Sequence, residues 1–361
     1  MKKIIFTVTT DLTYDQRMAR ICSVLSENGY QVTLTGRRKR NSLPLKKQSY
    51  KQVRLNCFFE KGFLFYKEYT IRLFFHLLFK KTDIISAADI DSALPGLLIS
   101  KVRSKKFVFD AHEYFTEVIE LQNRPFVKKV WTMVESFVIK RTQFAYTVSE
   151  GLKKIFLEKY GRDFEVIRNV PVLEEHQEVE KKEKYIVYAG AVNEGRGLEE
   201  LMEVWPDVDA KLYICGDGDV LEGLKEKALK MGLNERVFFL GYKQPEEFRK
   251  IIQGAYVGVL LLRKQSLSYY YSLANKFFDY MHAGVPQLTI DFPEYRTLNE
   301  KYEVAVLCNL EKEQIKQGLK KLLEDNVYYE KLKQNTAVAS KELNWQNESR
   351  KLLNFYRKVS E

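Results

Sequence analysis

The sequence predicts an α/β protein of two doubly wound, Rossmann-like domains, and three observations carry that expectation. Lys3 to Thr35 passes through strand, turn, helix and strand within about 35 residues, the opening unit of such a domain. A second strand, glycine-rich turn and helix begins at Tyr185. Between them Val172 to Lys184 is almost all charged, with little to bury, which marks a linker. A length of 361 residues suits two cores of ordinary size, with boundaries expected at 1–170, 171–184, 185–342 and a last segment 343–361.

In the first half Lys3 to Thr9 reads as a buried strand. Asp15 to Asn28 reads as a helix with Met18, Ile21, Cys22 and Leu25 at helical spacing, and Gln31 to Thr35 as the next strand. The turn Thr10 to Tyr14 stands at the carboxyl end of its strand, where ligands bind in doubly wound folds, yet it lacks the GxGxxG of a dinucleotide site. Asp15 is placed to cap the helix. In the aromatic-rich helix Tyr66 to Lys81, Leu73, Phe74, Leu77 and Leu78 suit a core. Phe75 and Phe79, beside Lys67, Arg72, Lys80 and Lys81, suit lipid headgroups. Asp83 to Ala87 and Lys106 to Asp110 are further strands around a helix from Leu94 to Val102. The second of them runs into Asp110-Ala111-His112-Glu113, which leaves His112 just past a buried strand, either reaching for a ligand or bonded to local backbone. A helix over Phe126 to Lys140, a strand over Phe144 to Val148 and a helix from Ser149 to Tyr160 complete this half.

In the second half the strand Tyr185 to Ala189 leads into Gly190-Ala191-Val192-Asn193-Glu194-Gly195-Arg196-Gly197 and a helix over Leu198 to Val204. Such a turn lets backbone amides approach phosphate oxygens, and Arg196 adds a bidentate cation. It is no P-loop, since the Gly-Lys-Ser/Thr ending is absent. Lys211 to Cys215 is a strand entering Gly216-Asp217-Gly218-Asp219, whose glycines suit a tight strand-to-helix turn better than a metal-binding Asp-x-Asp. Val237 to Gly241, Tyr256 to Leu262, Gln287 to Ile290 and Val304 to Leu307 are the remaining strands. Helices over Glu311 to Glu324, Val327 to Glu342 and Trp345 to Val359 follow.

The most informative stretch is Ser272 to Leu288. Leu273, Phe277 and Met281 recur four apart on one face of a short helix, Asn275, Lys276 and Asp279 share the other, and Gly284 and Pro286 stop it. A helix entered at Ser272 aims free N–H groups and Lys276 at one place, which suits an anion, and Asp279 one turn deeper can accept from two neighbouring hydroxyls. A phosphate beside a diol describes a nucleotide; the plain alternative is an amphipathic helix with its polar side in water.

The run Asn275-Lys276-Phe277-Phe278-Asp279-Tyr280-Met281-His282-Ala283-Gly284-Val285-Pro286 resembles the GT-B glycosyltransferases of the large family-4 group. The resemblance covers nearly the whole chain and implies two Rossmann-like domains facing across a cleft, with the last helix crossing back from Trp345 onto the first. It implies a nucleotide-sugar donor, UDP- or GDP-linked, as substrate and no separate cofactor. Donor contacts then fall on Gly190, Arg196, Gly216, Asn275, Lys276 and Asp279, with the backbone at Leu240 holding the base. In relatives the position of Asp279 is usually glutamate, and a second glutamate stands where this chain has Tyr271. One diphosphate cation of the family turn is unfilled at Ala191 and Val192, and Arg263 or Lys264 can replace it. Asp15 and Arg17 match an Asp-x-Arg on the acceptor side, and His112 matches the histidine between donor and acceptor, where a neutral imidazole can bond a sugar hydroxyl.

Composition narrows the partners. Cys22, Cys57, Cys215 and Cys308 are scattered without CxxC or histidines at ligand spacing, so neither disulfides nor a metal site is expected. The apolar run after Met1-Lys2-Lys3 breaks at Thr7, as a strand does and a secretion signal does not. A cytoplasmic location is expected, with peripheral contact to the inner face of the cytoplasmic membrane. Residues 1–170 hold 31 Lys and Arg against 17 Asp and Glu, whereas the remainder holds 28 against 31. No acid occurs between Asn28 and Phe59, where Arg37, Arg38, Lys39, Arg40, Lys46, Lys47, Lys51 and Arg54 accumulate. An anionic membrane surface is the expected partner of this charge, ahead of nucleic acid. The resemblance, with this charge, implies a retaining transferase moving sugar to a glycan or lipid-linked acceptor. A UDP-sugar epimerase of the same fold and a non-catalytic basic nucleotide- or nucleic-acid-binding module are the alternatives.

Overall fold

The structure, a computed structural model, describes residues 1–174 and 184–361. The chain divides into two units, Met1–Asn169 with Glu348–Glu361, and Val170–Asn347. Most of the charged stretch expected as a linker, His176 included, lies outside the described residues.

The first unit is built on a parallel sheet of β1 (Lys3–Thr7), β2 (Gln31–Arg38), β3 (Lys51–Asn56), β4 (Ile84–Ala88), β5 (Lys106–Ala111), β6 (Phe144–Thr147) and β7 (Glu165–Val166), in the order β3-β2-β1-β4-β5-β6-β7. The strand order reverses between the parallel neighbours β1 and β4, the place where doubly wound folds bind ligands. All of β4 is buried, as its Ile84-Ile85-Ser86-Ala87-Ala88 run requires. Strand β3 was not expected from the sequence: it is an edge strand whose Lys51, Gln52 and Arg54 dilute the apolar alternation. Right-handed crossovers put the helices Gly62–Phe79, Ile90–Val102 and Pro125–Arg141 on one side of this sheet. The helix Gln16–Glu27 and the last helix share the other: Tyr356 packs on Phe6, Tyr30 and Tyr146 and its hydroxyl meets Ser86 Oγ at 2.8 Å. Buried Glu348 fastens that last helix by accepting from Arg168 N at 2.9 Å.

The second unit repeats the plan with β8 (Tyr185–Ala189), β9 (Lys211–Cys215), β10 (Val237–Gly241), β11 (Val257–Leu260), β12 (Gln287–Ile290) and β13 (Ala305–Cys308), ordered β10-β9-β8-β11-β12-β13. Its reversal falls between β8 and β11. Three ten-residue helices, Leu221–Lys230, Pro245–Gly254 and Pro293–Tyr302, escaped the sequence pattern, as did the single turn Leu267–Tyr270. Each of the three offers only a few turns, and in the second Phe248, Ile251 and Ile252 stand at helical spacing with Ile252 alone fully buried. The motif helix also starts later than expected, at Asn275 rather than Ser272. Ser272 instead closes the preceding Leu267–Tyr270 turn by donating to Tyr269 O at 2.7 Å. Its buried face is wider than the Leu273, Phe277, Met281 stripe, because Phe278 and Tyr280 are buried too.

Candidate active site

In the second unit the sequence-predicted donor residues gather at the carboxyl ends of β8 and β9. Gly190 N donates to Cys215 O at 2.9 Å, and a Cβ on Gly216, whose φ is +150°, would stand 1.8 Å from Gly190 O. Only glycine lets these two strand ends pass so closely. Above them lies Lys276. Its Nζ is 3.6 Å from the centroid of the Tyr188 ring, and a Cβ on Gly190 would meet it at 3.1 Å. Arg196, from the same turn as Gly190, rests its guanidinium 4.9 Å over the Tyr269 ring and keeps a buried Nε without a hydrogen-bond partner. Among the described residues neither cation forms an ion pair. Burial, then the nearby Arg196 charge, hold the Lys276 ammonium well below the usual lysine range against the pull of Asp279. Two cations that repel each other at a glycine-walled strand end, with the Asp279 carboxylate beside them, suit a ligand that brings further negative charge.

Tyr280 fixes Lys276 there. Its hydroxyl accepts from Ala189 N at 3.0 Å and is 3.2 Å from Val259 O, tying the motif helix to β8 and β11. The ring fits because residue 258 is glycine, whose Cβ would be 2.5 Å from Tyr280 Cγ. At the helix entrance Ala274 N donates to the Tyr295 hydroxyl at 3.0 Å. Asn275 is exposed in the first turn, and Asp279 is half-buried one turn on. Leu240 occupies a bulge: the β10–β9 register slips between Phe239 and Gly241, which turns its backbone out of the ladder. Asp217 and Asp219 serve their own turns, accepting from Gly218 N and Glu194 N. Arg263 is not a spare diphosphate cation, since it pairs with Glu200 at 2.6 Å and Glu199 at 3.5 Å. Lys264 lies over the Tyr270 ring at 3.8 Å.

In the first unit His112 follows β5, and its Nδ1 is 2.6 Å from Asp89 Oδ2. Asp89 sits at the end of β4 in the left-handed region, with φ +59°, and its Oδ1 is buried without a partner. The imidazole keeps 41% of its side-chain surface open although protein crowds the ring. Burial alone lowers its pKa, but the charge and hydrogen bond of Asp89 reverse this and push it up to about 9. Asp89 thus favours the charged form of His112 over the neutral ring expected from the sequence. Burial and then Asp89 also push Glu113 and Asp91 up to about 7, with Thr9 bonded to Asp91 across the β1–β4 reversal.

Both residues expected on the acceptor side have internal partners. Asp15 accepts from Met18 N and the Thr10 hydroxyl, each at 3.0 Å, as a helix cap. Arg17 grips buried Asp110 through two bonds of 2.7 and 2.6 Å, and the Tyr146 hydroxyl donates to the same carboxylate. Arg17 thus braces the end of β5 beside His112. The basic loop is likewise partly spent: Arg37 lies 4.0 Å over the Phe65 ring, and Arg54 bonds Asp11 O, Leu43 O and Thr13. Sequence reasoning missed Asp89, Tyr188, Tyr269 and Tyr280. Gly258 inside an apolar strand was the one signal for Tyr280, marking a close approach.

Two parallel sheets that share the order 3-2-1-4-5-6, the first extended by a seventh strand, each with a candidate site past its strand ends, define a protein of paired Rossmann-like units. Residues 16–171 match the family described as Glycosyltransferase Family 4, and residues 171–338 match Glycosyl transferases group 1. Sucrose-phosphate synthase from Thermosynechococcus elongatus superposes with a TM-score of 0.81 at 16% identity, covering 99% of each chain. Anabaena HepE in complex with UDP-glucose gives 0.78 at 13% identity, covering 99% of this chain and 100% of that one. A putative UDP-N-acetylglucosamine 2-epimerase from Listeria monocytogenes gives 0.66 at 14% identity, covering 98% and 95%. These likenesses establish the fold. An uncharacterized glycosyltransferase of Methanocaldococcus jannaschii is 30% identical over 86 residues, a match spanning 23% of this chain and 22% of that relative. The chain belongs to the GT-B glycosyltransferases of the family-4 type.

Proposed function

We propose that the protein transfers a sugar, with retention, from a UDP- or GDP-linked donor to a glycan or lipid-linked acceptor in polysaccharide biosynthesis. The observation that carries this is the meeting of Lys276 Nζ with Gly190 beside Arg196, two cations that form no ion pair among the described residues and share the neighbourhood of one carboxylate, Asp279. A nucleoside diphosphate supplies further negative charge, and the same cations stabilise it as it departs, in place of a divalent ion. Asp279 accepts from the ribose hydroxyls, and the Leu240 bulge offers backbone to the base. His112, held by Asp89, donates a hydrogen bond from its free nitrogen to the reacting sugar. The enzyme works in the cytoplasm, at the inner face of the membrane.

A thermal-shift screen against UDP, GDP, ADP and their sugar conjugates tests this reading. One nucleotide is expected to stabilise the wild type, and Arg196→Ala and Asp279→Ala are expected to lose the shift. Stabilisation that both variants keep contradicts the assignment, and turnover abolished by EDTA contradicts the metal-free step. Sugar inversion at the transferred carbon contradicts retention.

A further inference from the structure

The two helical sides of the first sheet differ in what they show to solvent. On the side of Gln16–Glu27 and the last helix, the exposed residues are polar, among them Gln16, Glu27, Arg350, Lys351 and Lys358. On the other side the helix Gly62–Phe79 buries Phe65, Tyr69, Leu73 and Leu77 and presents an opposite stripe of Phe63, Lys67, Ile71, Phe75 and Phe79, four apart and all exposed. Pro125–Arg141 does the same with Phe126, Val130, Met133 and Phe137. Ile90–Val102, which packs between them, adds Leu98 and Val102. Phe79 and Phe126 are each 78% exposed and Met133 65%, far beyond the scattered apolar exposure of an ordinary surface.

Charge decides what covers this layer. Among its exposed residues are Lys67, Lys101, Lys129, Lys140 and Arg141, and none is an aspartate or glutamate. The carboxylates of these helices are turned to other tasks: Glu68 bonds Phe58 N, Phe59 N and Arg72, Asp91 bonds Thr9, and Glu135 is buried against Lys159. Two copies placed face to face would bring like charges together with nothing to pair them. A sheet of anionic headgroups over acyl chains complements both the cations and the rings.

We infer that the outer layer formed by Gly62–Phe79, Ile90–Val102 and Pro125–Arg141 docks on a bilayer of acidic phospholipid, with Phe75, Phe79, Phe126 and Met133 entering the headgroup boundary. The inference names the surface and lipid class behind the membrane contact proposed above, and of that reading it rests on that contact alone. It also moves the contact from the basic loop to the helices, leaving Lys39, Arg40, Lys46 and Lys47 as a rim beside the start of Gly62–Phe79, where Arg40 N bonds Glu60.

Flotation with phosphatidylglycerol-containing vesicles and with pure phosphatidylcholine vesicles tests it, using the full chain, the variant Phe75→Ser/Phe79→Ser/Phe126→Ser and the variant Lys129→Glu/Lys140→Glu. The wild type is expected to float with the anionic vesicles only, and each variant to bind them about tenfold less or weaker. Thermal stabilisation by whichever of UDP and GDP stabilises the wild type, read on the same samples, is expected to be unchanged, which separates failure of this surface from failure of the donor assignment. Should the serine variant lose it as well, the lysine pair decides. Wild-type protein that stays unbound, variants that float as well as wild type, or a wild-type dimer that the serine changes dissociate without any vesicle binding would each overturn the inference.

Discussion

Lys276 has an electrostatic position that can be measured. A half-buried amine beside Arg196 has the Asp279 carboxylate near it, and a diphosphate adds negative charge that both cations can share. Lys276→Ala is expected to raise the Kd for UDP about 10- to 100-fold, the worth of one charge-assisted hydrogen bond of about 1.5–3 kcal/mol, in a calorimetric titration. Because the free lysine lies well below its ordinary range, UDP binding is also expected to take up a proton wherever that lysine is partly neutral. Titrations in buffers of unequal ionisation heat read this, and proton release contradicts it. His112 moves the other way. Its pKa is raised, so the His112–Asp89 pair contributes stability that is full below the unfolded value of about 6.5 and is lost as pH rises through about 9. Asp89→Asn is expected to drop the His112 titration toward about 6.5 in an NMR series and to erase that pH dependence. An unmoved titration contradicts the role given to Asp89.

How elements meet explains what could and could not be read ahead. Gly190, Arg196 and Lys276 were picked out by a glycine-rich turn after a strand and a cation in the first turn of a helix, and the fold sets these three beside one another, with Asp279 one turn on. The start of the motif helix was misplaced by three residues, because Ser272 is an equally good cap for a helix and partner for the turn before it. Asp89 gave no sign: its role depends on a positive φ and on a histidine from the next strand, neither of which a linear pattern records. Arg17, Arg37, Arg54 and Arg263 look like free cations in sequence and are paired or stacked in the fold. Tyr280 was visible only as one more aromatic, yet it joins the motif helix to the strand that carries Gly190. Tyr280→Phe strands the buried Ala189 amide, at a cost of about 1–3 kcal/mol, so a lower Tm with weaker UDP binding is expected. Gly216→Ala forces a methyl into Gly190 O, and a loss of at least about 2 kcal/mol in urea denaturation is expected. A Gly216→Ala protein of wild-type stability contradicts the close crossing of the two turns.

The molecule as a whole is two doubly wound units of one plan, and the chain's last segment belongs to the first of them. Leu352, Phe355, Tyr356 and Val359 are buried in that unit. At about 1.5–3 kcal/mol for each side chain, their removal approaches the entire stability of an ordinary domain of about 5–15 kcal/mol. A chain ending at residue 347 is therefore expected to lose the first unit's cooperative unfolding transition. Its retention contradicts the division drawn here. The family supplies the class of chemistry, and the paired cations on glycine-lined strand ends supply the reason for placing the donor in the second unit. The most direct test is a calorimetric comparison of UDP with uridine, which lacks the diphosphate, on the wild type and on Arg196→Ala/Lys276→Ala. UDP is expected to bind the wild type far more tightly than uridine, and the double variant is expected to bind both alike. A double variant that still prefers UDP to the wild-type degree contradicts the account.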